Sequence, residues 1–210
     1  KVTKTLKDPE GKTIAKPDVN LTLYRKIANG TEEKVPKEEA AVKVVNGETT
    51  TAEWTGLKET DINGNPYTFI VKESFKNPKD VNNGNWTLVE STAVKEGKAN
   101  ITNNVKAGEA SLTIKKVFIN EANANEPGNA SGKAGENALK FTFEVTGPGG
   151  FKENVTLKAG EEKVLDKLLY GEYKVKETKF DGFTVTYNNQ SVTLTSESKT
   201  ATVTVTNKND

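Results

Sequence analysis

Polar residues stand on apolar strand faces at three places in each half of this 210-residue chain. Successive side chains of a β-strand point to opposite sides of the sheet, so residues two apart share one face. In the second half, the shared faces consist of Leu112, Ile114, Lys116 and Phe118; of Tyr173, Val175 and Glu177; and of Val203, Val205 and Asn207.

The first half repeats the arrangement with the same three polar residue types. Its shared faces consist of Val2, Lys4 and Leu6; of Tyr67, Phe69, Val71, Glu73 and Phe75; and of Ile101, Asn103 and Val105. Alternation therefore predicts that each half buries one Lys, one Glu and one Asn. Because an unpaired buried charge is very costly, we expect the three groups to meet. The predicted sets are Lys4, Glu73 and Asn103, and Lys116, Glu177 and Asn207.

A buried amine, carboxyl and amide in contact favour one reaction, a Lys–Asn isopeptide cross-link. Burial disfavours charge, so it lowers the pKa of a Lys and raises that of a Glu, which yields a neutral amine and a neutral acid. The amine can attack the amide carbonyl while the acid hydrogen-bonds its oxygen and transfers protons. Such a bond forms once per molecule, which indicates a mechanical protein rather than a turnover enzyme. A buried Lys–Glu salt bridge without a covalent bond is the alternative.

The spacing of the polar residues indicates a diverged repeat. Glu73 precedes Asn103 by 30 residues, and Glu177 precedes Asn207 by the same number. The boundary falls near Lys106–Glu109, which predicts one domain over residues 1–106 and a second over residues 107–210.

Short runs rich in Val, Thr, Ile, Tyr and Phe, separated by Asn, Gly, Asp and Pro clusters, predict an all-β chain. In the first half the predicted strands are Val2–Leu6, Asn20–Tyr24, Thr51–Trp54, Pro66–Glu73, Trp86–Val89 and Ala99–Asn103. In the second half they are Ser111–Ile119, Lys140–Thr146, Glu153–Leu157, Glu162–Leu165, Gly171–Glu177, Thr184–Tyr187, Ser191–Thr195 and Thr200–Thr206. The stretch Lys37–Val45 fits a short helix, although its valines also suit a strand. This pattern predicts antiparallel sandwiches or partly open barrels.

The composition excludes several classes of function. The 30 basic and 29 acidic residues give a net charge of +1, so no nucleic-acid partner is expected. Cys, Met and His are absent, which removes disulfides, the usual zinc sites and the commonest general base near neutral pH. We expect no cofactor and no bound metal. The lack of oxidisable sulfur suits an exposed extracellular setting.

No long apolar segment, signal peptide or lipidation motif occurs in the sequence. Since the chain begins within a predicted strand, we expect it to be a fragment whose secretion and anchoring signals lie outside it. We expect no membrane insertion within the fragment, and a monomer when it is isolated.

The sequence resembles the B-type repeats of Gram-positive collagen adhesins and pilins, the Cna B-type family, in two copies over nearly its whole length. The second copy carries the resemblance best, in IKKVF at Ile114–Phe118, FTFEVTGPGG and VTLKAGE within Phe141–Glu161, YGEYKVKET at Tyr170–Thr178 and VTVTN at Val203–Asn207. The stretch YKVKETKFDGF is also similar to the pilin E-box. The first copy has VTKTLKD at Val2–Asp8, DINGNPYTFIVKE at Asp61–Glu73 and ITNN at Ile101–Asn104.

The resemblance implies two tandem antiparallel, immunoglobulin-like β-sandwich domains. It also implies a Lys on the first strand, an Asn or Asp on the last, and an acidic residue between them. Carried over, the bonds would join Lys4 to Asn103 and Lys116 to Asn207, with Glu73 and Glu177 as the catalytic acids. The sequence departs from the family pattern at Leu6, where the family often has an aromatic residue. Asn104 and Lys115 lie directly beside the assigned Asn103 and Lys116 and are alternatives to them. Alternation favours Asn103 over Asn104 because Asn104 falls on the other face.

The resemblance further implies the stalk region of a cell-wall-anchored adhesin or pilin, a secreted virulence-associated protein on the bacterial surface. The alternative is a host-ligand-binding module, in which the polar loop Asn120–Asn137 contacts a host extracellular-matrix or cell-surface protein. The stalk is favoured because the sequence shows no exposed aromatic cluster of the kind that marks a binding site.

Overall fold

The chain forms two compact units, Lys1–Lys106 and Ala107–Asp210, each with its own internal contacts. The computed structural model describes residues 1–119, 139–178 and 182–209. Both units consist almost entirely of β-strands, and the predicted all-β fold with antiparallel sheets is confirmed. Among the described residues, no helix has the length and apolar character that crossing a bilayer requires.

The first unit is a sandwich of two sheets. Its strands are β1 (Val2–Lys7), β2 (Val19–Ile27), β3 (Glu33–Lys34), β4 (Lys43–Val45), β5 (Thr49–Ala52), β6 (Tyr67–Phe75), β7 (Thr92–Ala93) and β8 (Ala99–Asn104). One sheet has the order β5-β1-β8, and the other has the order β3-β2-β6-β7 with β4 also paired to β2. A short 3-10 helix, Val81–Asn85, lies between β6 and β7.

Alternation along the strands supplies the core of the first unit. In β1, Val2, Lys4 and Leu6 are buried, while the residues between them are partly exposed. In β8, Ala99, Ile101 and Asn103 are buried and their neighbours are exposed. These inward faces pack on apolar residues of the opposite sheet, including Leu21, Leu23 and Val71.

The second unit is built from two four-stranded sheets. Its strands are β9 (Ala110–Ile119), β10 (Lys140–Gly147), β11 (Phe151–Lys158), β12 (Glu162–Leu168), β13 (Gly171–Glu177), β14 (Phe183–Tyr187), β15 (Ser191–Leu194) and β16 (Thr200–Asn209). The sheet orders are β12-β9-β16-β14 and β11-β10-β13-β15. Strand β13 alternates strictly between buried and exposed positions, with Tyr173, Val175 and Glu177 on its buried face.

In each unit the first and last strands pair in parallel, an exception to the otherwise antiparallel sheets. β1 runs beside β8 with Leu6 opposite Asn103, and β9 runs beside β16 with Phe118 opposite Asn207. Each Lys thus lies two residues before the partner of its Asn. Residues two apart share a face, so the parallel register directs both side chains to the same side of the sheet.

Two local predictions were wrong. The stretch Lys37–Val45 is not a helix: the chain makes one turn, in which Ala40 N donates to Pro36 O at 2.8 Å, and then enters β4. The stretch Trp86–Val89 is not a strand either. Trp86 makes one isolated bridge to Val105, and the backbone then leaves the sheet.

Candidate site: two buried lysine, glutamate and asparagine triads

The first triad, Lys4, Glu73 and Asn103, lies between the two sheets of the first unit. Lys4 in β1 and Asn103 in β8 belong to one sheet, and Glu73 near the end of β6 approaches from the other. The Lys4 and Glu73 side chains are 1% and 0% exposed, and Asn103 is 0% exposed. All three functional groups are therefore removed from water.

The three groups of the first triad contact one another directly. Lys4 Nζ donates to Asn103 Oδ1 and lies 3.3 Å from Glu73 Oε1. Asn103 Nδ2 donates to Glu73 Oε2 at 3.0 Å. The amide oxygen therefore faces the amine, while the amide nitrogen faces the carboxyl group.

Backbone groups of the segment Trp86–Val89 complete the first site. Thr87 O accepts from Asn103 Nδ2 at 2.6 Å, and Val89 N donates to Glu73 Oε2 at 2.8 Å. Sequence reasoning missed both contacts, since main-chain groups leave no signature in residue identity. Thr87 N still donates to Asn104 O at 2.9 Å, while Thr87 O and Val89 N serve side chains of the site.

The second triad, Lys116, Glu177 and Asn207, repeats the arrangement in the second unit. Lys116 Nζ donates to Asn207 Oδ1 at 2.5 Å and lies 3.6 Å from Glu177 Oε2. Asn207 Nδ2 donates to Glu177 Oε1 at 2.6 Å. Lys116 and Glu177 are 0% and 1% exposed at their side chains, and Asn207 is 0% exposed.

Burial disfavours the charged form of the Lys116 amine, while several neighbouring groups favour it. Burial lowers the pKa of Lys116 to about 8, although the nearby Glu177 acts in the opposite direction. The Phe141 ring lies 4.2 Å from Nζ, and the carbonyl of Val117 accepts from Nζ at 3.0 Å. Burial also lowers the pKa of Lys4, against the opposing effect of Glu73. Both amines therefore become neutral more readily than a lysine in water.

One carboxyl oxygen of each triad has no hydrogen-bond partner. Within the described part of the chain, the buried side-chain polar atoms without such a partner are Thr50 Oγ1, Glu73 Oε1 and Glu177 Oε2. The two carboxyl atoms are those nearest to the lysine nitrogens. Their separations of 3.3 and 3.6 Å fall in the ion-pair range, but the geometry is not that of a hydrogen bond.

The neighbouring residues that could be confused with the triads lie outside them. Asn104 is exposed, and its backbone N donates to Thr87 Oγ1 at 3.0 Å. Lys115 is exposed and lies 3.6 Å from Glu162. The structure therefore brings together the six residues selected by alternation, and neither of the adjacent alternatives.

In each triad the lysine nitrogen contacts the oxygen of the amide whose carbon it would attack. A carbonyl bond measures about 1.23 Å, so Lys116 Nζ, 2.5 Å from Asn207 Oδ1, lies within about 3.7 Å of the carbonyl carbon. Reacting atoms about 3–3.5 Å apart are close to an attack geometry. No group of three or more Asp, Glu, His or Cys side chains that could hold a metal ion occurs in the described ranges.

The chain was compared with known proteins. The family model of the Cna protein B-type domain matches residues 1–104, the half whose motifs carry the weaker resemblance. No curated protein matches the sequence. Two similar solved structures are major pilin proteins of two Streptococcus pyogenes serotypes. The first is 18% identical, with 100% of this chain and 96% of that chain covered and a TM-score of 0.48. The second is 16% identical, with 100% and 96% covered and a TM-score of 0.42.

A third similar structure contains two B repeat units of the collagen-binding protein of Staphylococcus aureus. It is 17% identical, with 100% of this chain and 48% of that chain covered and a TM-score of 0.33. The family assignment depends on the family model, which spans all eight strands and the triad of the first unit. Residues 1–104 of this chain are a Cna protein B-type domain.

Proposed function

We propose that the chain is a structural stalk segment of a Gram-positive cell-wall-anchored adhesin or pilin, with each unit closed by an autocatalytic isopeptide bond. The bonds join Lys4 to Asn103 and Lys116 to Asn207. The observation that carries the proposal is that the lysine nitrogen contacts the asparagine oxygen in both buried triads. On this proposal the second unit is also a B-type domain.

The reaction requires only the three side chains of each triad. A proton passes from the lysine ammonium to the glutamate, and the neutral amine then attacks the amide carbon of the asparagine. The carboxyl group contacts the amide nitrogen rather than the carbonyl oxygen expected from sequence, and it passes its proton to that nitrogen as it departs. The C–N bond to Nδ2 breaks, the new Nζ–C bond remains, and ammonia leaves. Each triad reacts once, so the chain is not a turnover enzyme.

Folding supplies most of the rate in this scheme. Holding two reactants in the correct geometry can provide effective molarities of about 10⁵–10⁸ M. The parallel strand pair places the lysine beside the asparagine, while the glutamate is supplied by the opposite sheet. Bond formation therefore follows assembly of the sandwich and needs no external enzyme or cofactor.

The parallel pairing also gives the bonds a mechanical role. Because β1 and β8 run in the same direction, the chain enters one end of the pair and leaves at the other. Tension would then pass from β1 through the Lys4–Asn103 bond into β8, and the residues between would carry little load. The same holds for β9 and β16 through Lys116 and Asn207. A bond that closes a loop of about 100 residues also stabilises the folded state by about 4–5 kcal/mol on the loop-entropy model.

The proposed setting is the extracellular surface of a bacterium, with anchoring through regions outside this chain. The family match over residues 1–104 supports this setting, and so does a mechanism that needs neither sulfur nor metal. On this proposal the isolated chain is a monomer whose partners, if it binds any, are host proteins.

A cleft in the first unit favours ligand binding as a second candidate function. It has a volume of about 510 Å³ and is lined in part by Trp54, Leu57, Tyr67 and Phe69. Pockets of this size with aromatic walls are typical of ligand sites. The loop Asn120–Asn137, the binding segment suggested by sequence, lies outside the described residues. Binding of host-matrix proteins by the chain, lost in Trp54→Ala, would support this candidate; equal binding by the variant would contradict it.

Peptide mapping of matched lysine variants tests the stalk proposal. The unmodified chain, digested after denaturation, should yield branched peptides that join Lys4 to Asn103 and Lys116 to Asn207. Lys116→Ala should abolish the second branched peptide, while Lys115→Ala, its exposed neighbour, should leave it intact. Unbranched peptides at both sites would overturn the covalent mechanism.

A further inference from the structure

The segment Trp86–Val89, called here the site loop, is held against the first triad from outside the sheets. It follows the 3-10 helix Val81–Asn85 and contributes Thr87 O and Val89 N to the site. Trp86 fixes one end, since its ring is buried and Nε1 donates to Ala15 O at 2.9 Å. The Thr87 carbonyl of the loop contacts the amide nitrogen of Asn103, while Lys4 contacts the amide oxygen.

Thr87 attaches the site loop to strand β8 through three hydrogen bonds to one residue. Its backbone N donates to Asn104 O at 2.9 Å, and Asn104 N donates to Thr87 Oγ1 at 3.0 Å. The Thr87 hydroxyl in turn donates to Asn104 O at 3.2 Å. A single hydroxyl thus pairs with both backbone groups of the residue that follows the reactive Asn103.

This attachment determines which end of the Asn103 side chain faces Lys4. An asparagine amide has two N–H donors and one carbonyl acceptor. In the first triad, one acceptor of Nδ2 is Glu73 Oε2 and the other is Thr87 O. A flipped amide would point its oxygen at these two acceptors and its nitrogen at the Lys4 amine, a geometry in which attack on the carbonyl carbon is disfavoured.

We propose that Thr87 is a positioning residue for bond formation in the first unit. Its hydroxyl holds the site loop on Asn104, so that the Thr87 carbonyl keeps the Asn103 oxygen directed at Lys4. The inference rests on the proposed isopeptide function and extends it to a residue that takes no part in the chemistry. Thr87 O accepts a hydrogen bond from the nitrogen that leaves as ammonia, and it needs no further reactant.

The test compares Thr87→Val, Thr87→Ser and Thr102→Val with the unmodified chain. Valine keeps the shape of threonine but removes the hydroxyl, and serine restores it. Thr102 is an exposed threonine next to Asn103 in β8, so its variant is a matched control. Each full-length chain is prepared by chemical synthesis and dissolved in denaturant, so that it starts unfolded and without either bond. It is then refolded by dilution, and samples are quenched with acid at intervals. Mass spectrometry of the digest then gives the fraction of molecules in which each unit contains its isopeptide bond, called here the closed fraction. The rate of closure of the second unit is the internal reference in each sample.

We expect Thr87→Val to slow closure of the first unit by about tenfold or more, because it removes the two hydroxyl hydrogen bonds that hold the loop on Asn104 and so loosens the carbonyl that orients the amide. Thr87→Ser and Thr102→Val should close at rates within about threefold of the unmodified chain. Closure of the second unit should be unchanged throughout. Both tryptophans, Trp54 and Trp86, belong to the first unit, so their fluorescence reports its folding separately.

Closure of Thr87→Val at the unmodified rate would overturn the inference and leave the proposed function standing. Loss of native tryptophan fluorescence in Thr87→Val would also overturn it, since the hydroxyl would then serve the fold rather than the amide. If the unmodified chain never closes its first unit, the proposed function itself fails there, and this result is distinguishable from the other two.

Discussion

The two triads hold the same three groups in the same relation but are supported in different ways. In the first unit, a loop supplies Thr87 O to the amide and Val89 N to the carboxyl group. In the second, the Phe141 ring lies over the Lys116 amine and the Val205 carbonyl accepts from it at 3.4 Å. The first unit thus adds backbone partners to its asparagine and glutamate, while the second adds an aromatic ring and a second carbonyl to its lysine.

The difference shows which parts of the arrangement are essential to it. Both units share a parallel pair of first and last strands and a glutamate from the opposite sheet, 30 residues before the asparagine. The separation from lysine to asparagine differs, at 99 residues in the first unit and 91 in the second. Strand register therefore defines the triad, while the surrounding groups and intervening segments can change.

Removal of either asparagine should have the largest effect. Asn103→Ala prevents the first bond, which should cost about 4–5 kcal/mol in the free energy of unfolding of that unit. It also leaves Lys4 buried without its amide partner, which adds to the loss. The tryptophan-detected melting temperature should fall by on the order of 20 °C. Asn207→Ala should do the same to the second unit, as followed by calorimetry.

Asn104→Ala is the matched control for the first unit, because it removes an exposed amide from the same strand. Its melting temperature should stay within a few degrees of that of the unmodified chain, about 3 °C at most. An equal fall in Asn103→Ala and Asn104→Ala would show that the covalent bond contributes nothing.

Replacement of the glutamates should abolish proton transfer while preserving shape. Glu73→Gln and Glu177→Gln should each slow closure of their own unit by about 10²–10⁴-fold, the usual contribution of a general acid or base. The closed fraction of each unit during refolding is the measurement. A Glu177→Gln chain that closes its second unit at the unmodified rate would contradict the role of this carboxyl group.

The pH dependence of closure follows from the shared proton of each pair. In the proposed reactive form the lysine is a neutral amine and the glutamate carries the proton. This form exchanges with the ion pair, in which the same proton is on the lysine. Because burial lowers the pKa of Lys116 to about 8, the ion pair in which Lys116 carries the proton is lost above about pH 8. Closure of the second unit should therefore be level below that pH and fall about tenfold per pH unit above it.

The rate of closure of the first unit should decline in the same way once the pH rises above the lowered pKa of Lys4. The pH profile of refolding, measured for both units in one sample, checks this. A rate that rises continuously toward pH 10 in the second unit would show that a neutral amine alone suffices and that Glu177 donates no proton.

The smallest expected effect concerns the aromatic ring over Lys116. Phe141→Leu removes a cation–π contact, which stabilises an ammonium by about 0.5–2 kcal/mol. The neutral amine should form more readily, so closure of the second unit should accelerate by a few-fold or more and its decline should begin up to about 1.5 pH units lower. The first unit should not change. Phe151→Leu, which removes a ring packed on Tyr173, is the control and should leave the pH profile unchanged.

Alternation alone was sufficient to select the side chains that the structure buries together, because one face of each strand must be apolar unless its polar groups pair. It also distinguished the buried Asn103 from the exposed Asn104. The direction of pairing between first and last strands could not be predicted, since periodicity is the same in parallel and antiparallel strands. The Trp86–Val89 error has the same kind of origin: β-forming residues predict a strand, but side chains of the site take the backbone groups.

The most direct test of the central claim is the intact mass of the purified chain under denaturing conditions. Two isopeptide bonds predict a mass lower than that of the sequence by about 34 Da, or about 17 Da for each ammonia lost. A deficit of about 17 Da would mean that only one of the two triads reacts. An unaltered mass would contradict the account and leave each lysine and glutamate as a buried salt bridge.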